Sequence, residues 1–368
     1  MSIGRRIAGW IVVACFLIAA ASGQSRETSS DSSDAGATGI LPLPIFFYTP
    51  ETGFAGGGVV MYFSRPSSRY KNVRPSTANL NFIYTEKKQI ISEFYTDLYT
   101  LDNLYRVNAG ISYNRFPQKF YGVGSNASSS SEEFYTSKSL RTSIEGYRHV
   151  SDHLSAGISY FYENRSLTDL EPDGLLAAKA VVGSNGGVTT GPGVLLYWDS
   201  RDNIFSPLDG EYHQASFKVA SHALGSDFNF TRLAVDVRKF INLGNDHILV
   251  LQGIAVSING TAPFHKLDGI GGQSILRGYY EGRYRDKKML VAQAEYRSPM
   301  VWRFTGALFA GLGDVASTVS AFRMRDLKPS YGFGIRFFFE PKERLCIRMD
   351  FGFGQYSSGL YFTASEAY

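Results

Sequence analysis

Alternation with period two runs through almost the whole chain, and it constrains the fold more than any single motif. Tyr105, Val107, Ala109, Ile111 and Tyr113 share one face of an extended segment, with Arg106, Asn108, Ser112 and Asn114 on the other. Leu154, Ala156, Ile158, Tyr160 and Tyr162 repeat the pattern. So do Tyr331 to Phe339 and Leu345 to Phe353. Successive side chains of a strand point to opposite faces, so each segment reads as an antiparallel strand with one apolar and one polar face.

A soluble sandwich alternates in the same way, and three further features separate the two classes. The segments run about 10–15 residues, whereas globular strands are mostly about 5–6 and a tilted bilayer crossing takes about 9–11. Polar faces carry charge in mid-strand, as at Arg232, Asp236 and Arg238. The chain has 27 Phe and 23 Tyr, and many of them sit near segment ends, where interfacial aromatic girdles stand. The expected fold is all-β, a transmembrane antiparallel barrel of the outer membrane.

The N-terminus supports export. Arg5 and Arg6 precede an apolar run from Ile7 to Ala21, too short to span a bilayer, and small residues follow. Residues 1–23 read as a cleaved signal peptide, and 24–39 as a flexible, Ser- and Asp-rich periplasmic tether. Residues 40–368 form one barrel body. Removing the signal takes away Cys15 and leaves Cys346 as the one thiol, so no internal disulfide staples the fold. The net charge of +4 falls to about +2 without the two arginines, which gives no argument for nucleic acid.

Sixteen strands are expected, near 43–49, 53–64, 74–85, 88–100, 103–116, 136–149, 153–165, 187–199, 210–221, 228–241, 246–259, 288–297, 303–313, 331–340, 344–355 and 359–368. The count is even, as bacterial barrels require. Long connections (117–135, 166–186, 260–287, 314–330) then fall outside and short ones fall inside. The exceptions are the outer turn 85–88, which is short, and the inner turn 199–209, which is long. Pro42, Pro44 and Pro50 punctuate the first strand, and proline donates no ladder hydrogen bond, so a short, weakened first strand is expected.

The longest outer loop carries Gly271-Gly-Gln-Ser-Ile-Leu-Arg-Gly-Tyr-Tyr280. Its glycines allow a folded-back course. If the loop enters the lumen, Arg277 needs a carboxylate, and Glu295 and Asp350 lie on the polar faces of their strands. An exposed arginine in solvent fits the residues equally well.

Leu276-Arg277-Gly278-Tyr279 behind Gly271-Gly272 resembles the loop signature of the BamA/TamA superfamily of outer-membrane assembly and secretion barrels. Asp199-Ser-Arg201-Asp202-Asn-Ile-Phe-Ser-Pro207-Leu-Asp-Gly210 is similar to the family's inner-turn motif. Ala294 to Pro299, Gly332 to Phe339 and Gly359 to Tyr368 resemble three of its strands in order. The resemblance implies a sixteen-stranded barrel, a lumenal arginine loop bonded to acids, and a seam between first and last strands that opens to lipid. It implies insertion or translocation of membrane proteins as the activity, with unfolded barrels and periplasmic accessory proteins as partners beside lipid and lipopolysaccharide.

The sequence departs from the family in two places. Only the tether precedes the barrel, where family members carry POTRA modules, so the chain resembles a branch of the family that lacks them, whose activity the resemblance does not settle. Gly311 stands where the family has a lumenal aspartate. Glu295 is therefore the favoured partner of Arg277, followed by Asp350 and Asp314. The competing function is a pore or passive surface barrel. No catalytic motif, metal-ligand set or cofactor fingerprint occurs, so no enzyme chemistry and no cofactor are expected.

Overall fold

The structure is a computed structural model and describes residues 37–65, 75–100 and 103–368. The expected signal peptide and residues 24–36 of the expected tether lie outside the described residues. Barrel strands are β1 (Ala37–Thr49), β2 (Gly53–Arg65), β3 (Ser76–Thr85), β4 (Ile90–Tyr99), β5 (Tyr105–Phe120) and β6 (Glu133–His149). They continue with β7 (Leu154–Thr168), β8 (Gly187–Asp199), β9 (Gly210–Ala220), β10 (Phe230–Asn242) and β11 (Ile248–Gly260). After a small hairpin of β12 (Asp268–Ile270) and β13 (Tyr284–Asp286), the wall resumes with β14 (Lys288–Arg297) and β15 (Phe304–Ala316). It ends with β16 (Lys328–Glu340), β17 (Leu345–Gly354) and β18 (Ser357–Ala364). Sixteen of these strands close into one antiparallel barrel, with β14 pairing directly to β11 and β18 meeting β1.

The alternation becomes an inside-out distribution. Leu308, Leu312, Phe333 and Ile335 point outward and are exposed, while Glu93, Glu163, Arg165, Asp236 and Arg336 are buried toward the lumen. A water-soluble barrel would reverse that arrangement. Hydrocarbon around the wall favours the apolar face outward, and strand-to-strand ladders close the wall, through a single residue pair where β18 meets β1. Among the described residues no helix is long and apolar enough to cross a membrane.

Three expectations about element boundaries need correction. β1 spans thirteen residues, not a short 43–49, and it takes in residues 37–39 of the expected tether. Its ladder with β2 runs without a register shift through Pro42↔Val60 and Pro44↔Gly58. Residues two apart turn their backbone donors to the same side, so the two prolines remove donors from one edge only, and the pairing survives. The last strand ends at Ala364, not at 368. Ser365 has φ 71°, a left-handed conformation that breaks the extended run and turns 366–368 into the lumen. The loop expected over 260–287 contains the β12–β13 hairpin, paired Asp268↔Asp286 to Ile270↔Tyr284.

Candidate functional site

The loop between β11 and β14 descends into the barrel. Its hairpin packs Ile270, Ile275, Leu276 and Tyr279 against Ile254, Met289 and Val315 in the largest apolar cluster among the described residues. Two glycines set the loop's course. Gly271 (φ 113°) lies so close to Tyr280 that a side-chain carbon would stand 2.0 Å from the Tyr280 carbonyl oxygen. Gly278 (φ 110°) runs against β17, where a side-chain carbon would meet the Phe353 carbonyl carbon at 2.5 Å. Gly272 holds the other end of the turn by donating its N–H to the Tyr279 carbonyl at 2.9 Å. Between them Leu276 adopts φ 49°, and Gln293 Oε1 accepts its N–H at 3.1 Å. A non-glycine residue held there stores about 1–3 kcal/mol of backbone strain, maintained by the surrounding packing.

That path delivers Arg277 to the lumen with 2% of its surface exposed. Its Nη1 donates to Asp350 Oδ2 at 2.5 Å and its Nη2 to Glu295 Oε2 at 2.6 Å. Nη2 also lies 3.1 Å from the Tyr368 hydroxyl. The guanidinium stands 3.4 Å from the Phe309 ring centroid, within cation–π range. Burial disfavours the charged guanidinium, but Asp350, Tyr368 and Glu295 together raise its pKa, so Arg277 is fixed as a cation.

Asp350 and Glu295 are shared with other arginines. Arg336 Nη1 reaches Asp350 Oδ1 at 2.6 Å, and Arg336 Nη2 reaches Glu295 Oε2 at 3.2 Å. Arg348 Nη1 lies 2.5 Å from Asp350 Oδ2, and Arg297 Nε lies 2.9 Å from Glu295 Oε1. Glu366, from the segment turned in after β18, accepts Arg336 Nε at 3.1 Å and stands 3.5 Å from Arg297. Four arginines and three carboxylates thus form one buried network. Its charged groups come from β14, β16, β17, the loop and the 366–368 segment.

Glu295 is therefore one of two acids on Arg277. Asp314, the third candidate, is not a partner: Lys328 Nζ donates to it at 3.0 Å and Ser125 Oγ at 2.6 Å. It stands near the loop end of β15, beyond the reach of the guanidinium cluster. Gly311 also has a reason here, because a side-chain carbon there would lie 2.8 Å from Leu276 Cδ2. The space beside position 311 is filled by the leucine preceding Arg277.

At the opposite end, Asp199 binds Arg201 in a fork, 2.8 Å to Nε and 2.7 Å to Nη2. Asp202 Oδ1 accepts Leu208 and Asp209 N–H at 2.9 and 3.2 Å, and its Oδ2 meets Arg344 Nη1 at 2.5 Å. Pro207 is buried, and Gly210 has φ 103° against the Ser200 carbonyl oxygen. Ser206 Oγ donates to Glu366 Oε1 at 3.3 Å, which ties this turn to the arginine network. Among the described residues no three His, Cys, Asp or Glu come together as a metal-ligand set.

Sequence reading missed Arg336, Arg348, Glu366 and Tyr368 as parts of the site. The two arginines carry a usable signal, since each is a charge on the polar face of a strand in a lumen that must balance it.

The barrel and its loop can be set beside known proteins. The Omp85 superfamily domain matches residues 74–357. No curated protein matches the chain by sequence. Among solved structures, BamA from Haemophilus ducreyi lacking POTRA domains 1-3 superposes with TM-score 0.63 at 13% identity, over 90% of this chain and 70% of that one. CdiB from Acinetobacter baumannii gives TM-score 0.54 at 11% identity, over 91% of this chain and 66% of that one. CdiB from Escherichia coli gives 0.56 at 9%, over 91% and 63%. At these identities the likeness concerns the fold, and the chain spans about two thirds of each neighbour's length. The family match extends over most of the barrel and includes the arginine loop, and on that ground the chain belongs to the Omp85 superfamily.

Proposed function

We propose that this protein inserts or translocates membrane proteins at a seam between β1 and β18 in the outer membrane, with the Arg277 loop acting as a lumenal plug. One observation carries the reading. β1 meets β18 at a single residue pair, Tyr48↔Phe362, whereas it pairs with β2 along all thirteen of its residues. Tyr48 is next to last in β1, so the β1–β18 ladder is confined to one end of the two strands. A seam closed by so short a ladder is a place where an incoming strand can add.

The same geometry supplies a cause for the short seam. Residues after Ala364 would continue along β1 if they stayed extended. They are instead held in the lumen by Glu366 on Arg336 and by Tyr368 on Arg277. The clients in this reading are unfolded barrel proteins, with periplasmic accessory proteins delivering them. Export with removal of residues 1–23 belongs to the same proposal.

Reconstituted protein should accelerate the folding of a urea-denatured outer-membrane barrel into liposomes. A Tyr48→Cys/Phe362→Cys disulfide should abolish the acceleration and reduction should restore it. Full activity in the oxidised variant would overturn the seam, and large steady conductance without acceleration would make the protein a pore.

A further inference from the structure

The outward face of β1–β3 contains a depression of about 450 Å³, walled by Pro42 and Pro44 on one side and Leu80 and Phe82 on the other. Gly58 forms its floor, paired to Pro44 on one flank and to Phe82 on the next. It stands midway along β2, so the depression lies at the depth of the hydrocarbon core.

Nothing in the local geometry requires glycine at 58. Its φ is not in the left-handed region. A side-chain carbon there would meet only the Leu43 carbonyl oxygen, at an ordinary 3.5 Å. The neighbouring outward positions of β2 carry Phe54, Val60 and Tyr62, all exposed to the surroundings. Gly56, by contrast, is roofed by the Phe46 ring at 3.6 Å. Position 58 is thus a gap in an otherwise filled apolar surface, and neither strain nor crowding explains it.

The two ends of the depression differ. Toward the loop end stand four aromatic rings, Phe46, Tyr48, Phe54 and Tyr84, with Tyr48 and Phe54 edge to face at 5.1 Å. Toward the turn end the outward residues diminish to Ala78, Ser76, Ser64 and Thr38. No charged residue occurs on the outward faces of the described parts of these three strands. The depression is therefore apolar throughout, crowded by rings at the loop end and less crowded at the turn end.

We propose that the depression holds one acyl chain of a periplasmic-leaflet phospholipid, laid against β1. The chain inserts tail-up under the aromatic crown, with its headgroup at the level of Ser64 and Ser76. Burying an apolar chain in a fitted groove recovers the dispersion contacts that a void beside the wall would forfeit.

The test uses the full protein in liposomes containing a phospholipid with a diazirine midway along one acyl chain. Illumination should label peptides containing 42–44, 58–60 and 80–82 above the remaining lipid-facing wall. Gly58→Leu should lower labelling there several-fold without changing it on β10 and β11. Val60→Trp fills the same space from the outward side and decides the matter if Gly58→Leu does not fold, which heat-modifiability on gels reports. Uniform labelling around the wall would overturn the proposal, as would unchanged labelling in a folded variant. Labelling only by lipopolysaccharide with the same photoprobe, in asymmetric bilayers, would overturn the periplasmic source.

Discussion

Arg277 and Asp350 meet at 2.5 Å in the lumen, and neither is alone in the contact: Arg336 and Arg348 hold the same carboxylate. The shared arrangement changes what each substitution does. Arg277→Ala leaves Asp350 with two arginines and Glu295 with Arg297 and Arg336, so no carboxylate is stranded. Asp350→Asn removes one of three acids and leaves four arginines facing two.

The expected order follows from that count. Asp350→Asn should destabilise the barrel more than Arg277→Ala, approaching the about 3–5 kcal/mol typical of a broken buried pair. Arg277→Ala should mainly release the loop, seen as new protease cleavage between 271 and 281 from the outer side. Thermal unfolding of both variants in the same detergent tests the ranking, and the reverse order would refute the shared-charge argument. The double change should cost less than the sum, because both act on one network.

The inner turn gives a second, independent prediction. Asp202 accepts two backbone N–H groups and ion-pairs with Arg344. Asp202→Ala should cost about 0.5–1.5 kcal/mol, the net contribution of an ordinary hydrogen bond, since Asp209 is exposed and Leu208 only half-buried. Asp202→Asn keeps one acceptor oxygen and should recover part of the loss. Equal stability of all three proteins would mean that the turn is held by Asn203, whose Oδ1 accepts Phe205 and Ser206 N–H.

Much of this fold was legible because lipid imposes a simple rule on every strand. An apolar face outside and a polar face inside leave a period-two record, and Leu308, Phe333 and Ile335 show it directly. Arg277 was legible because glycines flank it at 271, 272 and 278. The inward turn of Glu366 and Tyr368 was not. It depends on one left-handed residue, Ser365, which carries no marker that separates it from an extended serine. Asp314 and Glu295 look alike on paper, since both are acids near polar strand faces. Height along the barrel separates them, and height is set by shear that no single segment records.

The turned-in segment yields a third prediction. If Glu366 on Arg336 keeps the end of β18 out of the seam, Glu366→Gln should let that strand extend along β1. Extending the Tyr48↔Phe362 register by two residues sets Phe46 opposite Ala364. In a Cys346→Ala background, Cys pairs placed at 46 and 364 should form a disulfide faster when residue 366 is Gln. An unchanged rate would show that Ser365, and not the ion pair, dictates the bend.

Glu51 provides the last prediction, one that depends on pH. It lies buried in the turn between β1 and β2 and accepts the Glu281 N–H at 2.8 Å, joining the first hairpin to the arginine loop. Burial, and then the nearby Glu281 carboxylate, push its pKa from 4.5 up to about 7. Lys87, from the turn between β3 and β4, is the cation that faces it, and its Nζ also donates to the Pro50 carbonyl. The folded protein therefore holds a proton here that the unfolded chain has lost, over the window between pH 4.5 and about 7. Stability falls as pH rises through that window, and the cost is complete above it. Glu51→Gln keeps an acceptor for the Glu281 N–H while removing the charge. It should match the wild type near pH 4 and exceed it at pH 8, by at most about 3 kcal/mol at 1.36 kcal/mol per pKa unit. Protease sensitivity of residues 271–281 should follow the same curve, rising with pH in the wild type and staying flat in the variant. Parallel pH profiles for the two proteins would show that Glu51 remains ionised across the range, and the latch between the first hairpin and the loop would then be insensitive to pH.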